Sequence, residues 1–151
     1  MRVTYSDDFA CPAERLWRFI EEPDLQKQWM KGLLDNQSTS AGPKGVGSTF
    51  RMKIQEGGKV ADYDGKVTAH EKPRHLAVDM WGGNFPAGMM IHVDYRLSEQ
   101  NGGTHLDYAV DATMCEKPPL WMRLMLPVGK IFMKMQLRGF MKTLKRLAEQ
   151  N

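Results

Sequence analysis

"MIHVDYRLSEQNGGTHLDYAVDATM", residues 90–114, is the stretch that decides the fold. Apolar and polar residues alternate on both sides of a turn that contains Gly102 and Gly103. Alternation places every second side chain on the same side of a strand, so each strand has one apolar face and one polar face. Two such strands around a glycine-containing turn predict an antiparallel hairpin with one face in the core and one in water.

The same period of two extends backwards from this hairpin to Leu33. The strand-like stretches are "STFRMKI", "VADYDGKVTAH" and "HLAVDMW", separated by turns at Gly57-Gly58 and at "EKPR". A longer loop, "GGNFPAG", carries Phe85 and precedes the hairpin. With a weakly alternating first strand, "VTYSDDF", these stretches predict a curved antiparallel sheet of about seven strands.

Helical spacing appears on both sides of the strand-rich region. After the first strand, "CPAERLWRFIEE" predicts a helix that Pro23 ends, and "DLQKQWMKGL" predicts a second short helix with Asp24 as its N-cap. A long helix follows the last strand, starting at Pro118-Pro119, and Pro127 and Gly129 are expected to kink or interrupt its first turns. Its predicted buried stripe consists of Met133, Leu137, Phe140, Leu144 and Leu147.

Length and composition predict one α+β domain over residues 1–151. The 151 residues are 42% hydrophobic and 26% charged, which is typical of a soluble globular chain with a core of its own. A sheet with one apolar face and one long helix predicts two layers. "MRVTYSDDF" has no apolar signal region, so a cytoplasmic protein is expected.

Residues that would carry metal, cofactor or nucleophile chemistry are missing from the sequence. Cys11 and Cys115 form no CxxC pair, and the four histidines have no metal-ligand spacing. No GxSxG motif or phosphate-binding loop is present. We therefore predict no metal and no cofactor, and we assign no catalytic residue.

Several segments resemble the START-like (SRPBCC) superfamily, which includes polyketide cyclase/dehydrase-like and lipid-transport proteins. The resemblance rests on "CPAERLWRFIEEPDLQKQWMKGL", "GPKGVGSTFRM", "EKPRHL" and "GGTHLDYAVDATM", and it covers nearly the whole chain. It implies the helix-grip fold, in which a curved antiparallel sheet wraps around a long C-terminal helix. It also implies that residues 1–151 form one START-like domain that binds a hydrophobic ligand between sheet and helix.

"PPLWMRLMLPVGKIFMKM", residues 118–135, has three alternative interpretations. A transmembrane span requires about 18 or more nearly uncharged residues, and only six separate Arg123 from Lys130. An interfacial helix stays open, because Trp121 and leucines lie among lysines and arginines. We favour a cavity lining, with inward strand positions supplying the rest. The predicted ligand contacts are Tyr63, Met80, Tyr95, Tyr108, Met114, Trp121 and Met125.

Three functions remain open at this point. The first is binding of a hydrophobic small molecule or lipid in that cavity, and the second is a polyketide cyclase/dehydrase-like enzyme that uses the same cavity. The third is a membrane-peripheral or partner-binding protein that acts through its C-terminal helix, because residues 120–151 hold seven basic residues against Glu149. Nucleic acid is not expected, because aromatic residues are not interleaved with these cations.

Overall fold

The computed structural model describes residues 1–114, 117 and 119–150. Its elements are β1 (Arg2–Phe9), α1 (Ala13–Glu21), α2 (Pro23–Trp29), β2 (Leu33–Ser38), β3 (Thr49–Glu56), β4 (Lys59–Glu71), β5 (His75–Gly82), β6 (Met89–Gln100), β7 (Gly103–Met114) and α3 (Leu120–Glu149). The strands form one antiparallel sheet in the order β1-β7-β6-β5-β4-β3-β2. The predicted α+β architecture is therefore confirmed, with seven strands, two short helices and one long C-terminal helix.

The β6–β7 hairpin has the register that its alternation predicts. Val93 pairs with Val110, Tyr95 with Tyr108, and Leu97 with Leu106. All six side chains are buried, at 9% exposure or less, so they lie on the inner face of the sheet. β1 extends this face, because Tyr5 lies opposite Tyr108.

Several connections between strands lie at one end of the sheet. Tyr63 pairs with Gly82, which brings the β3–β4 turn and the β5–β6 loop to the same end. Met89 pairs with Met114, so β7 also finishes there, immediately before the connection to α3. We call this the open end of the sheet; the β6–β7 turn lies at the opposite end.

The C-terminal half of α3 packs into the core. Its fully buried side chains are Leu137, Met141, Leu144 and Ala148. They follow the spacing of one helix face, and α3 contacts β1, α1 and α2. In the predicted stripe, Leu137 and Leu144 are buried, whereas Met133, Phe140 and Leu147 are only partly buried. The centre of the stripe lies nearer Met141 because the helix rests on β1 and α1.

The N-terminal half of α3 is exposed although it is apolar. Eight large side chains there are 57% to 72% exposed: Leu120, Trp121, Leu124, Met125, Val128, Ile131, Phe132 and Met135. We call these eight residues the outer apolar surface. In the part of the chain that the structure describes, no helix is long and apolar enough to cross a membrane.

The prediction of a cap at Asp24 is wrong: α2 begins at Pro23 with Glu22 at the N-cap position, because proline has a fixed φ that suits the first helical residue. α3 runs through Pro127 and Gly129 without interruption, and a kink at these residues stays a prediction. The helix begins after Pro119; Pro118 and Cys115 lie outside the described residues.

Candidate functional site

Tyr95 and Tyr108 form a buried pair on the inner face of the sheet. Their ring centroids are 4.7 Å apart, and the two phenol groups share a hydrogen bond. Burial raises the pKa of Tyr108 to about 12, although the hydrogen bond from Tyr95 lowers it. Burial also raises the pKa of Tyr95 well above its usual value, with a further contribution from Tyr108. Both hydroxyls are therefore neutral near pH 7.

Tyr63, the third predicted tyrosine, lies near the open end. Its hydroxyl donates to Glu56 Oε1 at 2.6 Å and accepts from the Asn84 N–H at 3.3 Å. Its ring is 4.8 Å from that of Phe85 and covers Gly83, where a Cβ would lie 2.3 Å from a ring carbon. Burial and the bond to Glu56 raise the pKa of Tyr63 to about 12. This tyrosine therefore attaches the β5–β6 loop to the β3–β4 hairpin.

The remaining predicted residues lie in two other places. Met80 and Met114 are half-buried on β5 and β7, and Met80 packs against the core. Trp121 and Met125 belong to the outer apolar surface of α3, 64% and 57% exposed. The structure thus brings Tyr95 and Tyr108 together and places the other five around the open end and on α3. Contact of any of the seven with a ligand stays a prediction.

Two clefts lie at the open end. The helix cleft, of about 950 Å³, separates Phe132, Met135 and Phe140 of α3 from Gly32 and residues 55–57. The loop cleft, of about 600 Å³, is bordered by residues 85–90 together with Trp81 and Met114. Both have aromatic and methionine side chains in their walls, which suits contact with apolar molecules of variable shape.

A polar group on the inner face was missed by the sequence analysis. Asp7 has the inward parity of Val3, Tyr5 and Phe9, and it accepts hydrogen bonds from the Tyr5 hydroxyl at 2.8 Å and from Lys145 Nζ at 3.2 Å. Burial raises the pKa of Asp7, but these bonds and one from the Asp8 N–H outweigh that effect, and the pKa is lowered. The parity of β1 was the signal that could have identified Asp7.

This carboxylate holds α3 in place and is not free for catalysis. The C-terminal end of α3 is held by two more contacts: Arg15 Nε donates to the Ala148 carbonyl at 2.7 Å, and the Ala10 N–H donates to Glu149 at 3.2 Å. α3 is therefore attached firmly at the end opposite its exposed half. The exposed N-terminal half of α3 is therefore the part that can move more easily.

The four histidines lie within hydrogen-bond distance of carboxylates elsewhere in the structure. His70 lies 2.8 Å from Glu21, and His105 lies 2.7 Å from Asp8. His75 pairs with Asp94, and His92 pairs with Asp79. Within residues 1–114, 117 and 119–150, no group of three or more histidine, cysteine or acidic side chains could hold a metal ion.

The tyrosines and Asp7 on the inner face have hydrogen-bond partners within the protein. The inward tyrosines are neutral near pH 7, and Asp7 is held ionised by its partners. Every buried side-chain nitrogen or oxygen in the described part of the chain has a hydrogen-bond partner.

Comparison with solved structures supports the architecture over its whole length. Ara h 8.0201 is 15% identical, with a TM-score of 0.79, and the match covers 100% of this chain and 99% of that chain. A START superfamily protein from Mycobacterium smegmatis is also 15% identical, with a TM-score of 0.76 and coverage of 99% and 97%. Protein MLL2253 from Mesorhizobium loti is 21% identical, with a TM-score of 0.71 and coverage of 97% and 96%. At these identities the likeness shows the fold alone.

Family membership follows from the sequence as well. No curated protein matches the chain closely enough to count as a relative. Residues 1–149 match the family described as polyketide cyclase/dehydrase and lipid transport, which confirms the predicted START-like resemblance. The chain, with its seven-stranded sheet and long C-terminal helix, belongs to the polyketide cyclase/dehydrase and lipid transport family.

Proposed function

We propose that residues 1–151 form one domain that binds a hydrophobic small molecule or lipid between the inner face of the sheet and α3. The single observation that carries this proposal is the division of α3 into two halves. Leu137, Met141 and Leu144 are buried against the protein, whereas Phe132 and Met135 border the open helix cleft. Apolar surface beside an open cleft can be covered by an apolar ligand, which would remove it from water.

The predicted contact residues keep their roles in this proposal. Tyr63, Met80, Tyr95, Tyr108 and Met114 would supply the wall on the sheet side. Trp121 and Met125 would lie at the mouth, on α3. Because the tyrosine hydroxyls already have partners, the ligand would be held mainly by shape and apolar contact. The ligand class is therefore predicted to be broad, and a cytoplasmic location stays a prediction.

The cyclase/dehydrase alternative shares the cavity and is favoured only by the family's description. A cyclase could act chiefly by folding a reactive chain in a shaped pocket, with few catalytic groups. The two functions differ in one respect: a carrier releases its ligand unchanged, whereas an enzyme releases a different compound. Ring closure alone conserves mass and dehydration loses one water, so chromatographic retention of the extracted molecule, measured together with its mass, separates the two functions.

Native mass spectrometry of the freshly purified full chain, followed by organic extraction, tests the proposal. We expect a co-purified hydrophobic molecule, or saturable uptake of a fluorescent fatty acid by the extracted protein. Met114→Asp should weaken that uptake on the order of tenfold, because it places a charge among apolar groups. Val46→Asp is the matched control, since Val46 is 70% exposed and lies outside both clefts.

Two results would contradict the proposal. One is a clean apo mass combined with no saturable uptake of the fluorescent fatty acid. The other is an equal loss of uptake in Met114→Asp and Val46→Asp, which would show that the signal does not come from a defined site. Circular dichroism of both variants excludes unfolding as the cause.

A further inference from the structure

The two halves of α3 differ in the side chains of their outer face. At 100° per residue, the eight residues of the outer apolar surface fall within an arc of about 140°, on the side opposite the buried stripe of Leu137, Met141 and Leu144. An ordinary surface helix carries polar residues on that side. Here the apolar arc spans 16 residues, or about 24 Å of helix, and exposes more than half of each member.

The same arc becomes cationic in the C-terminal half. Arg138, Lys142 and Arg146 are exposed and lie four residues apart, in line with the outer apolar surface. Lys134 lies beside this arc, whereas Lys130 lies on the side of the buried stripe. The only acidic residue of α3 is Glu149, whose carboxylate accepts the Ala10 N–H. The outer face of α3 is therefore an apolar stretch followed by a row of positive charge.

The positive charge of this face distinguishes between the partners that could bind it. A second copy of the chain would bring the same helix, with seven basic residues and one acidic residue, against its like, and like charges repel. The cores of protein interfaces are also depleted of lysine. An anionic lipid surface suits both the apolar and the cationic stretch of this face, because its headgroups attract the cations and its acyl boundary accommodates apolar side chains.

We propose that the outer face of α3 docks this protein on an anionic phospholipid bilayer. The helix lies in the plane of the interface, with Trp121, Leu124 and Val128 in the boundary between headgroups and acyl chains. Arg138, Lys142 and Arg146 bind lipid phosphates along the same line. This docking does not require the proposed ligand, but it would bring the helix cleft to the membrane surface.

Vesicle co-sedimentation with the full chain tests this proposal. Vesicles of phosphatidylcholine alone are compared with equimolar phosphatidylcholine and phosphatidylserine, at low and at high salt. We expect binding only to the anionic vesicles, weakened by salt. Trp121 is an internal reporter, because Trp17 and Trp29 are already buried and the half-buried Trp81 is still present in the Trp121→Ser variant. Its emission should shift to shorter wavelength on binding, and the shift should vanish in Trp121→Ser.

Two triple variants separate the apolar and the cationic contributions. The apolar triple variant Trp121→Ser/Leu124→Ser/Val128→Ser should weaken binding about a hundredfold. This corresponds to about fivefold for each side chain that the bilayer covers by half. Arg138→Gln/Lys142→Gln/Arg146→Gln should weaken it by a similar factor, at about fivefold per cation, and should reduce the salt dependence. Leu34→Ser/Val46→Ser/Val60→Ser is the matched control, because these side chains are also exposed apolar residues.

Each outcome bears directly on the proposal. Loss of binding in both triple variants with retention in the control supports it. Equal binding to zwitterionic and anionic vesicles, binding to neither, or a dimer in solution that the apolar triple variant dissociates would overturn it.

Discussion

Replacing the buried tyrosine pair one residue at a time, and then together, tests the centre of the inner face. Tyr95 and Tyr108 are 6% and 9% exposed, their rings are 4.7 Å apart, and their hydroxyls share a hydrogen bond. Tyr108→Phe removes the acceptor and leaves the Tyr95 hydroxyl buried with no such partner. An unpaired buried hydroxyl costs about 1–3 kcal/mol. The fold should survive, since domains of this size have about 5–15 kcal/mol of stability.

The double variant Tyr95→Phe/Tyr108→Phe should cost less than the sum of the two single variants. Both polar groups are then gone, and no unpaired hydroxyl remains between the rings. We expect a coupling free energy of about 1 kcal/mol from the double-mutant cycle. At roughly 2–4 °C per kcal/mol, each single variant should lower Tm by roughly 2–12 °C. Urea unfolding monitored by circular dichroism measures all four proteins under the same conditions.

Tyr63 supplies the control cycle. Its hydroxyl bonds to Glu56 and to the Asn84 N–H, and β5 separates its strand from that of Tyr95. Tyr63→Phe and Tyr95→Phe should therefore be additive within about 0.5 kcal/mol. Additive Tyr95 and Tyr108 variants would refute the buried hydrogen bond. If the coupling free energy between Tyr95 and Tyr108 disappears only in the ligand-loaded protein, a ligand group contacts Tyr108.

Two further predictions concern the attachment of the helices. Glu21 accepts hydrogen bonds from Trp17 Nε1 and His70; burial raises its pKa, but these bonds outweigh burial and lower it below 4.5. A carboxyl group with a lowered pKa stabilises the fold at pH values above its pKa in the unfolded chain, and this contribution is lost in acid. Glu21→Gln should therefore cost about 1–2 kcal/mol near pH 7 and less as the pH falls below 4.5. Urea midpoints across pH measure this, and a difference between wild type and variant that stays constant with pH would contradict it. Met141→Ala should lower the free energy of unfolding by about 2–5 kcal/mol, because Met141 is fully buried. Met125 is 57% exposed, so Met125→Ala should change it by no more than about 0.5 kcal/mol. Equal losses in thermal unfolding would show that Met125 belongs to the core.

The strands could be predicted from the sequence because their pattern is local. Alternation in residues 90–114 and in the three stretches before it determines which side chains face inward, and the register confirms those faces. The hydroxyl partners could not be predicted in the same way. Tyr95 meets Tyr108 across a hairpin, but Tyr63 meets Glu56 and Asn84 through pairings and a loop path that local pattern does not specify.

α3 shows where sequence pattern is insufficient. Its C-terminal half has polar residues on one side, so the buried stripe could be located to within one position. Its N-terminal half is apolar nearly all round, and periodicity then gives no direction. The sequence therefore left a cavity lining and an interfacial helix as alternatives. The exposure of Leu120, Trp121 and Leu124 is a property of where the C-terminal half is attached.

Two leucines of α3 that point in different directions distinguish the ligand-binding proposal from the docking proposal. Leu126 lies on the same helix side as Leu137 and Leu144 and is 37% exposed, whereas Leu124 lies on the outer arc and is 71% exposed. Leu126→Asp should weaken fatty-acid uptake and leave vesicle binding nearly unchanged, and Leu124→Asp should do the reverse. If Leu124→Asp abolishes uptake while vesicle binding persists, Leu124 belongs to the mouth of the cavity with Trp121 and Met125, and the docking proposal is wrong.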